Sequence, residues 1–124
     1  MLSPIKKCIG DVKKHLIELD EQRDLLEKEQ EKLEKIIHAR ESEIAKGLKK
    51  NKMDEYSYVK ELRDRCEKDS IYKKSKKMLE KKNNEISNMY MLIENRKSFK
   101  EHLEDKKTFI SNKLKKYKRD AKNN

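Results

Sequence analysis

The sequence holds 124 residues, of which 47% are charged and only 33% hydrophobic, with a net charge of +10 and no Trp. A globular domain of that length hides roughly 65–70% of the surface its unfolded chain exposes, and this composition lacks the apolar residues for it. One proline, Pro4, and two glycines, Gly10 and Gly47, are too few for the turns of a β-fold. What remains is an all-α chain whose long helices bury a narrow seam.

The chain opens on Ser3 and Pro4, an N-cap followed by a proline whose missing N–H costs nothing at the first helical position. From there a seam runs in alternating steps of four and three: Ile5, Ile9, Val12, Leu16, Leu19, Arg23, Leu26, Gln30, Leu33, Ile37, Arg40 and Ile44. Nine of these twelve positions are apolar, the signature of a coiled-coil heptad. Arg23, Gln30 and Arg40 interrupt it, either as long side chains reaching past a neighbouring helix or as polar groups that fix its register. Lys46 and Gly47 then form a C-cap pattern, so the first helix is predicted over residues 3–46 and a turn over 47–53.

Asp54 or Ser57 caps the second helix, predicted over 54–121. Val59, Leu62 and Cys66 set one register. Leu79, Ile86, Met89, Ile93, Leu103, Ile110, Leu114, Tyr117 and Ala121 set another, displaced by one residue. The slip falls between Cys66 and Leu79, around the polar run 73–77, where a bend or altered winding is expected. The fold predicted is therefore two long helices, about 65 and about 100 Å, in an antiparallel coiled-coil hairpin. A tight turn near residue 50 pairs residues whose numbers add to about 101 and leaves Phe99 onward without a partner from the first helix.

Chemistry-bearing constellations are sparse. His15, His38 and His102 are scattered, none preceded at three residues by Glu, and no glycine-rich phosphate loop is present. Neither a catalytic group, a metal site nor a cofactor is expected; two packed helices offer no water-excluded pocket for an enzyme. Cys8 and Cys66 read as free thiols of a reducing compartment, with Cys66 in the seam. The longest apolar run, 89–93, is far short of the ~20 residues that span a bilayer, so direct membrane insertion is not expected.

Charge is uneven. Residues 1–46 carry 10 Lys/Arg and 11 Asp/Glu, residues 47–95 carry 13 and 9, and residues 96–124 carry 11 and 4. The C-terminal segment thus combines an apolar stripe, including Leu103, Ile110 and Leu114, with many cations, which asks for an acidic protein surface. The stretch 113–119 also has the look of a nucleic-acid or nuclear-localisation segment. Without stacking aromatics in the pattern of single-strand binders, or a basic region continuous with a dimerising zipper, no specific nucleic-acid partner is expected.

The heptads of 3–44, the turn at 47–53 and the basic tail resemble one family: the central-stalk proteins of bacterial type III secretion and flagellar export, the FliJ/YscO group. The likeness spans the whole chain through size, charge and layout, without a diagnostic motif. The resemblance implies a protein of the bacterial cytoplasm, at the cytoplasmic face of a virulence secretion apparatus. Such a stalk enters the pore of a hexameric secretion ATPase, raises its activity and links it to an export-gate membrane protein; secretion chaperones are further partners. Charge and layout, rather than the resemblance, assign the two ends. Lys6, Lys7, Lys13, Lys14, Arg96, Lys97, Lys100, Lys106, Lys107, Lys113, Lys115, Lys116, Lys118 and Arg119 would face the ATPase, and Leu48, Lys49, Lys50, Asn51 and Lys52 the gate. The free chain would be a monomer. The alternatives are a homo-oligomeric coiled-coil scaffold, or an escort chaperone without an ATPase role.

Overall fold

The computed structural model describes residues 2–48 and 54–123, and all its regular elements there are helical: α1 (Leu2–Lys46), α2 (Glu55–Lys68) and α3 (Ser70–Asn123). The chain is all-α, and the long helices α1 and α3 pack against each other. Two compact units divide it, one formed by residues 1–23 with 88–124 and the other by residues 24–87.

Helix α1 follows its heptad. All twelve seam positions are buried or half-buried, and the intervening lysines and glutamates stay mostly in water. Its C-terminus differs from the expectation. No described glycine takes a positive φ. Instead the Gly47 N–H donates to the Ile44 carbonyl at 3.1 Å and the Leu48 N–H to Ala45 at 3.0 Å. These three-residue closures satisfy two orphan carbonyls by tightening the last turn, so no left-handed cap is needed.

Helix α2 starts at Asp54, whose carboxylate accepts the Ser57 N–H at 2.7 Å. That hydrogen bond holds the Asp54 carboxyl below its ordinary value. Leu62 and Cys66 turn inward as expected, but Val59 is exposed and Tyr58 is half-buried in its place.

The second arm is two helices rather than the single one expected over 54–121. Asp69 separates them with an extended backbone, φ −78° and ψ 126°. Its N–H closes α2 onto the Cys66 carbonyl at 3.1 Å, and its carboxylate opens α3 by accepting the Tyr72 N–H at 2.9 Å. One aspartate therefore serves as C-cap and N-cap at once. The break lies inside the interval where the heptad slips. Beyond it the α3 seam is continuous from Tyr72 through Ser75, Leu79, Lys82 and Ile86, and Ser75 is buried within the lysine run 73–77.

In the 24–87 unit, Ile37, Leu48, Cys66 and Ile86 form the apolar core. Polar links cross it: Arg40 to Asp69, the Tyr72 hydroxyl to Glu41 at 3.2 Å, Lys82 to Glu29, and Gln30 to Asn83 at 2.6 Å. These contacts correct the expected register. Arg40 meets Asp69, not residue 61, and Gly47 stands beside Arg65, whose Nη1 is 3.7 Å from where a Cβ on Gly47 would lie. Arg40 thus meets the second arm about two helical turns later than a tight turn near residue 50 allows, because the break at Asp69 presents a carboxylate to the guanidinium there.

In the unit of 1–23 with 88–124, Ile9, Val12, Leu19 and Ile93 form the core, and Ile93 is 1% exposed. Burying one such side chain contributes about 1.5–3 kcal/mol. Arg23 lies over the Tyr90 ring at 5.4 Å and pairs with Asp20 at 3.3 Å.

Candidate partner-binding site

All fourteen cations expected at the ATPase end fall in one unit, that of 1–23 with 88–124. This unit carries 16 Lys/Arg against 9 Asp/Glu, whereas the 24–87 unit carries 18 against 15. The two sets are not equally available. Lys6, Lys7, Lys13 and Lys14 are exposed on α1. On α3, Arg96, Lys100 and Lys107 occupy seam positions and are half-buried. Lys97 is engaged by Glu94 at 3.7 Å and Lys100 by Glu104 at 3.8 Å. Lys106, Lys113, Lys115, Lys116, Lys118 and Arg119 are exposed. At 100° per residue these cations ring the helix rather than forming one face.

One local grouping stands out. Lys113, Lys116, Tyr117 and Asp120 line a shallow hollow, and the Lys113 ammonium sits over the Phe109 ring at 5.0 Å. Spacings of three and four place Phe109, Lys113, Lys116, Tyr117 and Asp120 on one side of α3. Phe109 is 60% exposed and Tyr117 74%. Counting cations alone passes over both aromatics. The signal was in the sequence, since Phe109 lies off the seam at helical spacing from two lysines.

Of the residues expected at the export gate, Lys49, Lys50, Asn51 and Lys52 lie outside the described residues. Leu48 is buried, which keeps its side chain from meeting a partner.

The three polar residues of the α1 seam each have a partner. Arg40 forms a two-pronged pair with Asp69, Nε to Oδ1 at 3.1 Å and Nη2 to Oδ2 at 2.7 Å, and reaches Glu43 at 2.9 Å. The guanidinium and the Tyr72 N–H hold the Asp69 carboxyl down to about 2. Asp69 in turn raises the pKa of Arg40. Cys66 is buried and its thiol is pushed up, first by burial and then by the carboxylates of Glu41, Asp69 and Glu67; Cys8 is exposed. Among the described residues no three of His, Cys, Asp and Glu gather as a metal site would require, and no helix is long and apolar enough to cross a membrane.

Compared with protein-family models, with curated proteins and with solved structures, the chain shows no match to any.

Proposed function

We propose that the chain is a non-catalytic stalk protein of a secretion apparatus, acting in the bacterial cytoplasm. It stimulates a hexameric export ATPase by entering its pore, and it links that ATPase to the membrane export gate. Its length and its Lys- and Asn-rich composition resemble those of EscO, the attaching-and-effacing member of the FliJ/YscO group. The observation that carries the reading is the charge division between the two units, 16 cations to 9 anions in one against 18 to 15 in the other. A cation-rich end suits an acidic pore, and exposed charged contacts are weak enough for one asymmetric shaft to meet six equivalent subunits.

The stalk form proposed is an antiparallel coiled-coil hairpin. Within the 24–87 unit the polar contacts support it: Glu29 with Lys82 and Gln30 with Asn83, then Arg40 with Asp69 and Glu41 with Tyr72. From the first two of these contacts to the last two, the partner number falls as the α1 number rises.

The test is ATP hydrolysis by the hexameric ATPase with and without the full chain, alongside a pull-down. Stimulation is expected, and glutamate in place of Lys113, Lys115, Lys116, Lys118 and Arg119 should remove it while helicity persists. Unchanged stimulation by that variant would refute the assignment of the basic end.

A second reading, a homo-oligomeric scaffold, draws on Ile71 and Met78, exposed seven residues apart on α3. Light scattering separates the two, since a monomer weighs 15.0 kDa and a scaffold a multiple of that.

A further inference from the structure

We propose that the side of α3 bearing Phe109, Lys113, Lys116, Tyr117 and Asp120 docks an acidic amphipathic helix of another protein, with the two aromatic rings as anchors. The inference rests on the reading that the basic end receives a protein partner, and it names the chemistry of that partner. Interfaces draw most of their energy from a few buried aromatic or arginine side chains, while lysine is depleted in their centres. Lysines alone would therefore give this end attraction without a seat. Phe109 and Tyr117, eight residues apart, stand about 12 Å from each other along the axis, two turns of a docked helix. Their exposures of 60% and 74% leave that area to be covered.

Charge selects the occupant. Lys113 and Lys116 flank the hollow, so carboxylates at i and i+3 or i+4 of the incoming helix meet cations on both sides. Lys113 already covers the Phe109 ring, and a carboxylate arriving there completes a stack of ring, cation and anion. Asp120 in the hollow and Asp105, one turn before Phe109, are exposed anions on the same side. They weaken the attraction of a uniform polyanion, such as a phosphate backbone or an anionic bilayer, and accept a basic residue of a mixed-charge helix. A lipid surface is further disfavoured because Leu103, Ile110 and Leu114 are half-buried in the seam and unavailable to it. A second copy of this chain would bring the same cationic segment, 11 Lys/Arg against 4 Asp/Glu over 96–124, and be repelled.

The experiment is fluorescence anisotropy with the full chain and a labelled helical peptide of about 20 residues, with leucines on one side, glutamates on the other and a single arginine. Saturable binding is expected. Phe109→Ala with Tyr117→Ala should weaken it at least ~10-fold, as should Lys113→Glu with Lys116→Glu, with unchanged circular dichroism for these exposed positions. The comparison arms are the same peptide with lysines for glutamates, vesicles of phosphatidylserine and phosphatidylcholine, and single-stranded DNA of about 20 nucleotides. The proposal is overturned if the acidic peptide does not bind, if the aromatic double variant binds as well as the parent, or if vesicles or DNA bind more tightly. Peptide binding without ATPase stimulation would remove the stalk function and leave this surface standing. Stimulation that survives loss of both rings would do the reverse.

Discussion

The two units are built from the same kind of helix but hold it together differently. The unit of residues 24–87 ties its helices with polar links, Arg40 to Asp69, Glu41 to Tyr72, Glu29 to Lys82 and Gln30 to Asn83, around Ile37, Leu48, Cys66 and Ile86. In the unit of 1–23 with 88–124, branched aliphatic side chains, Ile9, Val12, Leu19 and Ile93, fill the core; most cations face outward, and Arg23, Arg96, Lys100 and Lys107 stay half-buried in the seam. The lesson concerns division of labour. Apolar seams give affinity between helices with little preference for register, whereas polar seam residues give register at some cost in stability. One unit ties its pairing with hydrogen-bonded polar residues, and the other keeps most of its charge for the outside.

The comparison breaks most sharply at the apolar cores. Ile93→Ala should cost about 3 kcal/mol, within the usual 2–5 for a large-to-small change at a site this closed. Urea denaturation followed by circular dichroism measures it. If Ile37→Ala costs as much and the loss of the Arg40 side chain costs nothing, the polar links are ornaments and the contrast disappears.

Next in size is thiol access. Cys8 is exposed in one unit and Cys66 is 4% exposed in the other. Labelling of the native chain with a maleimide should favour Cys8 by on the order of 100-fold, because Cys66 must wait for a local opening of a few kcal/mol. Equal rates, read by peptide mass spectrometry, would mean that the polar-linked unit opens freely.

Acid should then weaken the 24–87 unit selectively. The Asp69 carboxyl lies at about 2 against an ordinary 3.8, so the folded state binds protons less readily than the unfolded one. Its stabilising contribution is complete above pH ~4 and is lost as pH falls through ~2. The lowered Asp54 acts in the same sense. Melting temperatures at pH 4, 3 and 2 should fall, and Asp69→Asn should flatten most of that slope. A slope unchanged in Asp69→Asn would assign the acid response elsewhere.

The smallest effect is a gain. A Cβ added at Gly10 would meet nothing within 4 Å, and the residue sits inside α1. Gly10→Ala should therefore stabilise the chain by about 1 kcal/mol, through helix propensity alone. Loss of stability would reveal a close neighbour at that face.

Much of this was legible in the residues themselves. The α1 seam could be read to the single position because 3–4 spacing survives any tertiary context that keeps the helix. The register slip marked the interval from Cys66 to Leu79 for a bend, but not a full helix break, nor its place at Asp69. Nothing around it forbids a helix, and the extended backbone is held partly by Arg40, 29 residues away in sequence. Ser75 is hidden for a related reason: a small hydroxyl among four lysines looks solvated until the seam on both sides of it is known. The basic end was visible as a count of lysines, but its two exposed rings emerge only when the helix face is laid out.

The two-pronged Arg40–Asp69 pair and the Gln30–Asn83 bond also decide whether the helices of the 24–87 unit can slide. A shift of one heptad would set Arg40 against Lys76, or against Leu62 in the other direction. Like charges would meet in the first case, and a guanidinium would lose its carboxylate in the second. A seam of uniform leucines creeps under axial load in seven-residue steps of nearly equal energy. This one has a detent, and a pull along the coil is met by a single resting position.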